Sequence, residues 1–202
     1  MARLNAEQKL LTLKVVYVGP GLSGKTTNLN KLHAEYPEAA RGDLVQLDTE
    51  KERTLFFDYF PAQLGEIGGY RLKADFFTVP GQAFYNETRR AVLEGVDGVV
   101  FIADSDPDRM DANHVALENL ANNLSSFERR LPDLPLVFQW NKQDLGTAVA
   151  PAAMHEALNP QGAPAFPGVA IRGEGVWECQ EAILRLVVER LRSRVAGGRA
   201  RG

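Results

Sequence analysis

Gly19-Pro20-Gly21-Leu22-Ser23-Gly24-Lys25-Thr26 is the stretch on which the fold turns. It fills every specified position of the Gly-x-x-x-x-Gly-Lys-[Ser/Thr] loop, whose glycines let the backbone close around phosphate groups. Residues 11–18 before it form an apolar run of strand length, and a helical pattern begins near Gly24. A strand feeding a helix through such a loop aims the helix's unpaired N–H groups and positive end at a phosphate chain. Gly19, Gly21, Leu22, Ser23, Gly24 and Thr27 are therefore expected to wrap phosphates. Lys25 is expected to reach the β- and γ-phosphates, and the Thr26 hydroxyl to ligate Mg²⁺. The plain alternative, a glycine-rich turn with an exposed lysine, fits poorly between a strand and a helix. The loop alone does not separate a GTPase from an ATPase or a small-molecule kinase.

Working outward, apolar runs of strand length recur at 70–79, 98–103, 135–140 and 168–171, with helical patterns between them. That alternation reads as an α/β fold of three layers around a mostly parallel central sheet. The runs at 98–103 and 135–140 are almost continuously apolar, as strands covered by helices on both faces are, and belong in the sheet's centre. Gly65, Gly68 and Gly69 interrupt the stretch before Thr78, where a hairpin would add one antiparallel edge strand next to the first strand. Val176, Cys179, Ile183, Leu186, Val187 and Leu191 fall at helical spacing and give a last helix with one apolar face. The expected organisation is a single domain over 1–195 with a disordered basic tail at 196–202. The tail arginines complement a helix C-terminus or grip an acidic surface.

The chain has 202 residues, 45% of them hydrophobic and 24% charged, with a net charge of -3. One α/β core fits that length, and the mild acidity argues against a nucleic-acid binder. A single cysteine, Cys179, staples nothing and suits a reducing compartment. No run approaches the roughly 20 apolar residues of a membrane span. With Ala2 in place of Gly, and a C-terminus without a cysteine box, no lipid anchor is expected. A cytoplasmic protein is expected. His33, His114 and His155 fall on helices without metal-like spacing, and Cys179 reads as core packing.

Asn141-Lys142-Gln143-Asp144 follows directly after the apolar run 135–140. The two oxygens of Asp144 match the N1–H and N2–H₂ donors of guanine, and adenine lacks both. A wrong base would leave a carboxylate unpaired. Asn141 suits the base N7 and the loop, and the Lys142 stem can lie along the base or the phosphate loop. Together with the phosphate loop, the chain resembles the Ras superfamily of P-loop GTPases. Within it, the chain resembles the bacterial mutual gliding-motility protein A family of polarity GTPases. The narrower likeness rests on the run from Gly19 continuing Thr27-Asn28-Leu29, on Glu52-Arg53-Thr54-Leu55-Phe56-Phe57-Asp58, on Thr78-Val79-Pro80-Gly81-Gln82 and on Asn141-Lys142-x-Asp144.

The resemblance implies a switch that binds GTP and GDP with Mg²⁺ and hydrolyses GTP, recruited to cell poles through partners. It places the water-orienting glutamine at Gln82, the γ-phosphate-sensing N–H at Gly81, and a backbone contact to guanine at Ala170. It makes Thr54 the switch threonine on Mg²⁺, with Thr49 the competing choice. Arg53 becomes an arginine finger within the same chain; the plain alternative is a surface salt bridge to Glu50 or Glu52. Thr78 stands where the superfamily keeps an Asp that holds Mg²⁺ through water, so Asp48 or Asp58 is expected to take over. A Roadblock-type (MglB-like) homodimeric GTPase-activating protein is implied, with residues 57–64 as its footprint. The aromatics Phe56, Phe57, Tyr59 and Phe60 read equally as core and as interface. Two other classes stay open: a P-loop kinase of a small substrate, and a nucleotide-locked scaffold without turnover.

Overall fold

A computed structural model describes residues 2–47, 57–80 and 86–199. In chain order the elements are β1 (Arg3–Asn5), β2 (Leu10–Val18), α1 (Lys25–Glu35), β3 (Val45–Leu47), β4 (Phe57–Ile67), β5 (Tyr70–Thr78), α2 (Asn86–Leu93), β6 (Gly98–Asp104), α3 (Met110–Ser125), β7 (Leu136–Asn141), α4 (Pro151–Leu158), β8 (Ala165–Pro167) and α5 (Val176–Arg199). The sheet runs β3-β4-β5-β2-β6-β7-β8, with β1 antiparallel on β2. Pairings from β5 through β8 are all parallel. This is the α/β fold of three layers around a mostly parallel sheet.

Alternation along β2 divides the interior into two cores. Leu13, Val15 and Tyr17 face α1 and α5, where they meet Leu29, Leu32, Ile183 and Val187. Val16 and Val18 face the other way, toward Val92 of α2, Leu120 of α3 and Met154 of α4. Strands β6 and β7 are buried at every residue, as expected for central parallel strands with helices on both faces. The apolar stripe of α5 is as read: Val176, Cys179, Ile183 and Val187 are buried, with Leu186 and Leu191 packed at the margin. The helix itself continues past Val195 to Arg199.

The hairpin is built where the glycines stand. Gly68 (φ 57°) and Gly69 (φ 80°) take left-handed conformations that side chains resist, giving the tight turn between β4 and β5. Strand β5, the second arm, lies parallel beside β2. The antiparallel arm β4 is therefore one strand further out than expected, and β3 pairs outside it.

The run 168–171 is not a strand. The parallel ladder with β7 uses Ala165–Pro167 instead, closing with the Gly168 N–H on the Trp140 carbonyl at 2.9 Å. The chain then turns through a short 3₁₀ segment, Ala170–Arg172, ended by left-handed Gly173. Val169 and Ala170 are buried as the inner wall of a loop, and the same apolarity reads as strand when the turn is not visible.

Candidate functional site

The loop between β2 and α1 is held to a shape that only its own residues permit. Gly24 caps α1 at φ 97°, and a Cβ there would run into the Asn141 side-chain amide. A Cβ on Gly19 would strike the Ile102 carbonyl. Leu22 adopts φ 65° and stands exposed at the loop's tip. Lys25, the first residue of α1, is buried, and its Nζ donates to the carbonyls of Gly19 (3.1 Å) and Pro20 (2.7 Å). Burial lowers its pKa to about 8; Asp58 pulls it up and Arg89 pushes it down. The ammonium is thus spread across the mouth of the loop, where a phosphate chain would meet it.

Thr26 points the other way, its hydroxyl donating to Asp58 Oδ2 at 2.7 Å. Thr78 Oγ1 donates to the same oxygen at 2.9 Å and accepts the Asp58 backbone N–H at 2.9 Å. Asp58 on β4 and Thr78 on β5 sit just past the last paired rung, Tyr59–Phe77. The carboxylate that position 78 lacks therefore stands beside Thr26 from the neighbouring strand, held there by Thr78 itself.

Asn141 ends β7 and ties three segments together. Its Nδ2 donates to the Ser23 carbonyl (2.7 Å) in the phosphate loop, and its Oδ1 accepts the Ala170 N–H (2.9 Å) from the loop after β8. Lys142 (φ 68°) sends its ammonium to Asp104 Oδ2 at 2.6 Å, and Asp104 is fully buried. Lys142 does not reach the phosphate loop; a second contact to it, beside that of Asn141, comes from Arg109, whose Nη2 donates to the Gly21 carbonyl at 2.8 Å while its Nε lies 3.9 Å from Asp104. Asp144 stays partly exposed, 4.0 Å from Arg172. A pocket of about 250 Å³ opens between Leu22, Gly24, Thr27, Asn141, Asp144 and Ala170. A cleft of similar size, about 240 Å³, lies behind the phosphate loop between α2 and α3, but Asp144 and Asn141 do not line it.

Gly19, Gly21, Leu22, Ser23, Gly24, Lys25, Thr26, Thr27, Asn141, Lys142, Asp144 and Ala170 thus share one edge of the sheet, at the carboxyl ends of β2, β6 and β7. Ligands bind there in open α/β sheets. Arg53, Thr54, Gly81 and Gln82 lie outside the described residues, as do Asp48 and Thr49. Asp104 and Arg109 are missing from the sequence reading. The available signal was a carboxylate ending an otherwise apolar central strand. His33 packs edge-on against Phe60 and His155 against Trp140. Among the described residues no His, Cys, Asp and Glu side chains cluster as a metal site of their own. Burial pushes the Cys179 thiol well up, in keeping with packing.

The sequence as a whole has relatives among known proteins. The model of the ADP-ribosylation factor family matches residues 1–184. The chain belongs to this family of Ras-like small GTPases. The GTPase is 44% identical over 192 residues to mutual gliding-motility protein MglA of Myxococcus xanthus, covering 95% of this chain and 98% of that protein. It is 25% identical over 154 residues to ADP-ribosylation factor-like protein 2 of Arabidopsis thaliana, covering 76% of this chain and 72% of that one. No helix among the described residues of the GTPase is long and apolar enough to cross a membrane.

Proposed function

We propose that this GTPase is a nucleotide-state switch that selects guanine through Asp144 and holds the phosphates on residues 19–27. One observation carries the reading. Asn141 joins Ser23 of the phosphate loop to Ala170 of the base loop in two hydrogen bonds, and Asp144 lines the pocket between them. In this reading the Asp144 carboxylate accepts the two guanine donors, and Lys25 gives up its carbonyl partners for phosphate oxygens.

Mg²⁺ fits the residues present. Hydroxyl and carboxylate oxygens are the donors it takes, and Thr26 and Asp58 offer one of each 2.7 Å apart. Thr26 would ligate the ion directly and Asp58 would hold its water shell, with Thr54 added from the first switch. Bound there, the ion would neutralise phosphate charge. On family likeness Gln82 orients the attacking water, Gly81 senses the γ-phosphate, and Arg53 steadies the charge that develops on hydrolysis.

Gain and loss of the γ-phosphate would reorder the two switch segments. A Roadblock-type activating dimer remains the proposed partner. Its footprint narrows, because Phe60 and Ala62 are core residues, while Phe57 and Tyr59 pair with Phe77 on the opposite face. The relative's name supports a role in gliding motility; a cytoplasmic protein drawn to the cell poles is the location proposed on family likeness.

Displacement of a fluorescent GDP analogue from the Mg²⁺-loaded protein by GDP, GTP, ADP and ATP tests the site. Guanine nucleotides alone should compete; equal competition by adenine nucleotides would overturn it. In single-turnover hydrolysis with the activating partner, Gln82→Leu and Arg53→Ala should each slow the reaction by about a hundredfold or more.

A further inference from the structure

Two amides lie in the interior beneath the nucleotide site, and the site described above does not use them. Asn28 on α1 and Gln139 on β7 are both fully buried. Asn28 Nδ2 donates to the Gly24 carbonyl (3.0 Å) and to Gln139 Oε1 (2.8 Å), and Gln139 Nε2 donates to the Gly175 carbonyl (2.9 Å). The result is an unbroken chain of hydrogen bonds. It starts at Gly24, where the phosphate loop ends, and reaches Gly175, where the base loop carrying Ala170 ends. Gly168 leaves room for it, since a Cβ there would lie 2.8 Å from Gln139 Cγ.

Satisfying backbone groups does not explain the pair. The Gly24 carbonyl already accepts the Asn28 N–H (2.9 Å), the first bond of α1, and the Gly175 carbonyl accepts the Cys179 N–H (3.4 Å), opening α5. Stability does not explain it either. Asn28 Oδ1 is buried with no hydrogen-bond partner among the described residues, and an unsatisfied buried acceptor is destabilising. Replacing both members of a buried polar pair by apolar side chains of similar size is often neutral or stabilising. What two apolar side chains would not do is set the distance between the two loops, because dispersion contacts lack the direction and fixed length of hydrogen bonds.

We infer that Asn28 and Gln139 are positioning residues of the nucleotide site, a buried amide brace that fixes the phosphate loop and the base loop at the spacing of one guanine nucleotide. The inference rests on the guanine-nucleotide reading. Asn141 makes the same join at the mouth of the site, so the two loops are tied above and below.

The test compares release of a fluorescent GDP analogue, chased with excess GDP, across parent, single and paired variants, with urea midpoints of the nucleotide-free proteins beside it. Asn28→Gln lengthens one arm and Gln139→Asn shortens the other, and each alone should speed release about tenfold. The exchanged pair restores the length of the brace and should return release to within about threefold of the parent. Asn28→Leu/Gln139→Leu should match or exceed the parent's urea midpoint and still release nucleotide about tenfold faster or more. Additive losses in the exchanged pair, or release that follows the urea midpoint throughout, would overturn the brace. A parent that retains ADP as firmly as GDP would instead sink the guanine reading, and the inference with it.

Discussion

The two halves of the sheet use their polar side chains differently. From β2 to β8, side chains at the carboxyl edge are tied to loop backbone: Asn141 to Ser23 and Ala170, Arg109 to Gly21, Gln139 to Gly175. From β5 to β3 the interior is mainly aromatic packing, and its buried carboxylate, Asp75, is tied to side chains, accepting from Tyr59 Oη at 3.1 Å, and not to a loop. Phe60 stacks on Phe76 with centroids 5.1 Å apart, His33 and Tyr36 close over them edge-on, and Tyr59 and Phe77 pair on the other face at 4.6 Å. The parallel half holds loops still, whereas the antiparallel half holds two strands together while one of them presents Asp58 to Thr26. Only the first needs directional bonds at every loop.

The largest effect that would separate the halves is Phe60→Ala. Removing this buried ring should cost about 3–5 kcal/mol of stability in urea unfolding and leave GDP affinity of the folded fraction close to the parent's. Lys25→Met should do the reverse. Nucleotide affinity should fall about a hundredfold with the loss of a charge-assisted contact, while nucleotide-free stability holds or rises because a buried charge has gone. If either variant moves both quantities together, the division between halves fails.

Asp104→Asn should come next, speeding GDP release about tenfold. It takes the charged partner from Lys142 and loosens Arg109 on the Gly21 carbonyl, with little change at β4 and β5. The pH dependence of binding sharpens the same point. Phosphate favours charged Lys25, whose pKa is about 8 in the free protein. GDP affinity should hold below that pH and fall as pH rises through it, by up to about tenfold per unit. The profile should flatten in Lys25→Met, and an unchanged profile there would assign the titration elsewhere. The smallest effect expected is Thr78→Ala, about 1 kcal/mol from the hydrogen bonds steadying Asp58, read as weaker Mg²⁺ dependence of GDP retention.

What could be read from the sequence follows the same division. Residues 19–26 and 141–144 carry their chemistry in contiguous runs, because a loop that wraps a ligand with its own backbone is local by construction. Asp58, Asp104, Asn28 and Gln139 reach side chains between 20 and 111 residues away, and spacing along the chain says nothing of that. Phe57, Tyr59 and Phe60 looked alike until strand register sent Phe60 into the core and the other two to the opposite face. Strand β8 was misplaced because Ala165-Phe166-Pro167 has little β character of its own. Its three-rung ladder comes from β7 beside it.

In the proposed function, Asp144 reads the base. An Asn at that position offers one donor where the carboxylate had only acceptors, which suits the 2-oxo group of xanthine and not the 2-amino group of guanine. Competition of GDP and XDP against a fluorescent nucleotide should show GDP preferred by the parent and XDP preferred by Asp144→Asn, each by about tenfold or more. A variant that still prefers GDP as the parent does would contradict the assignment.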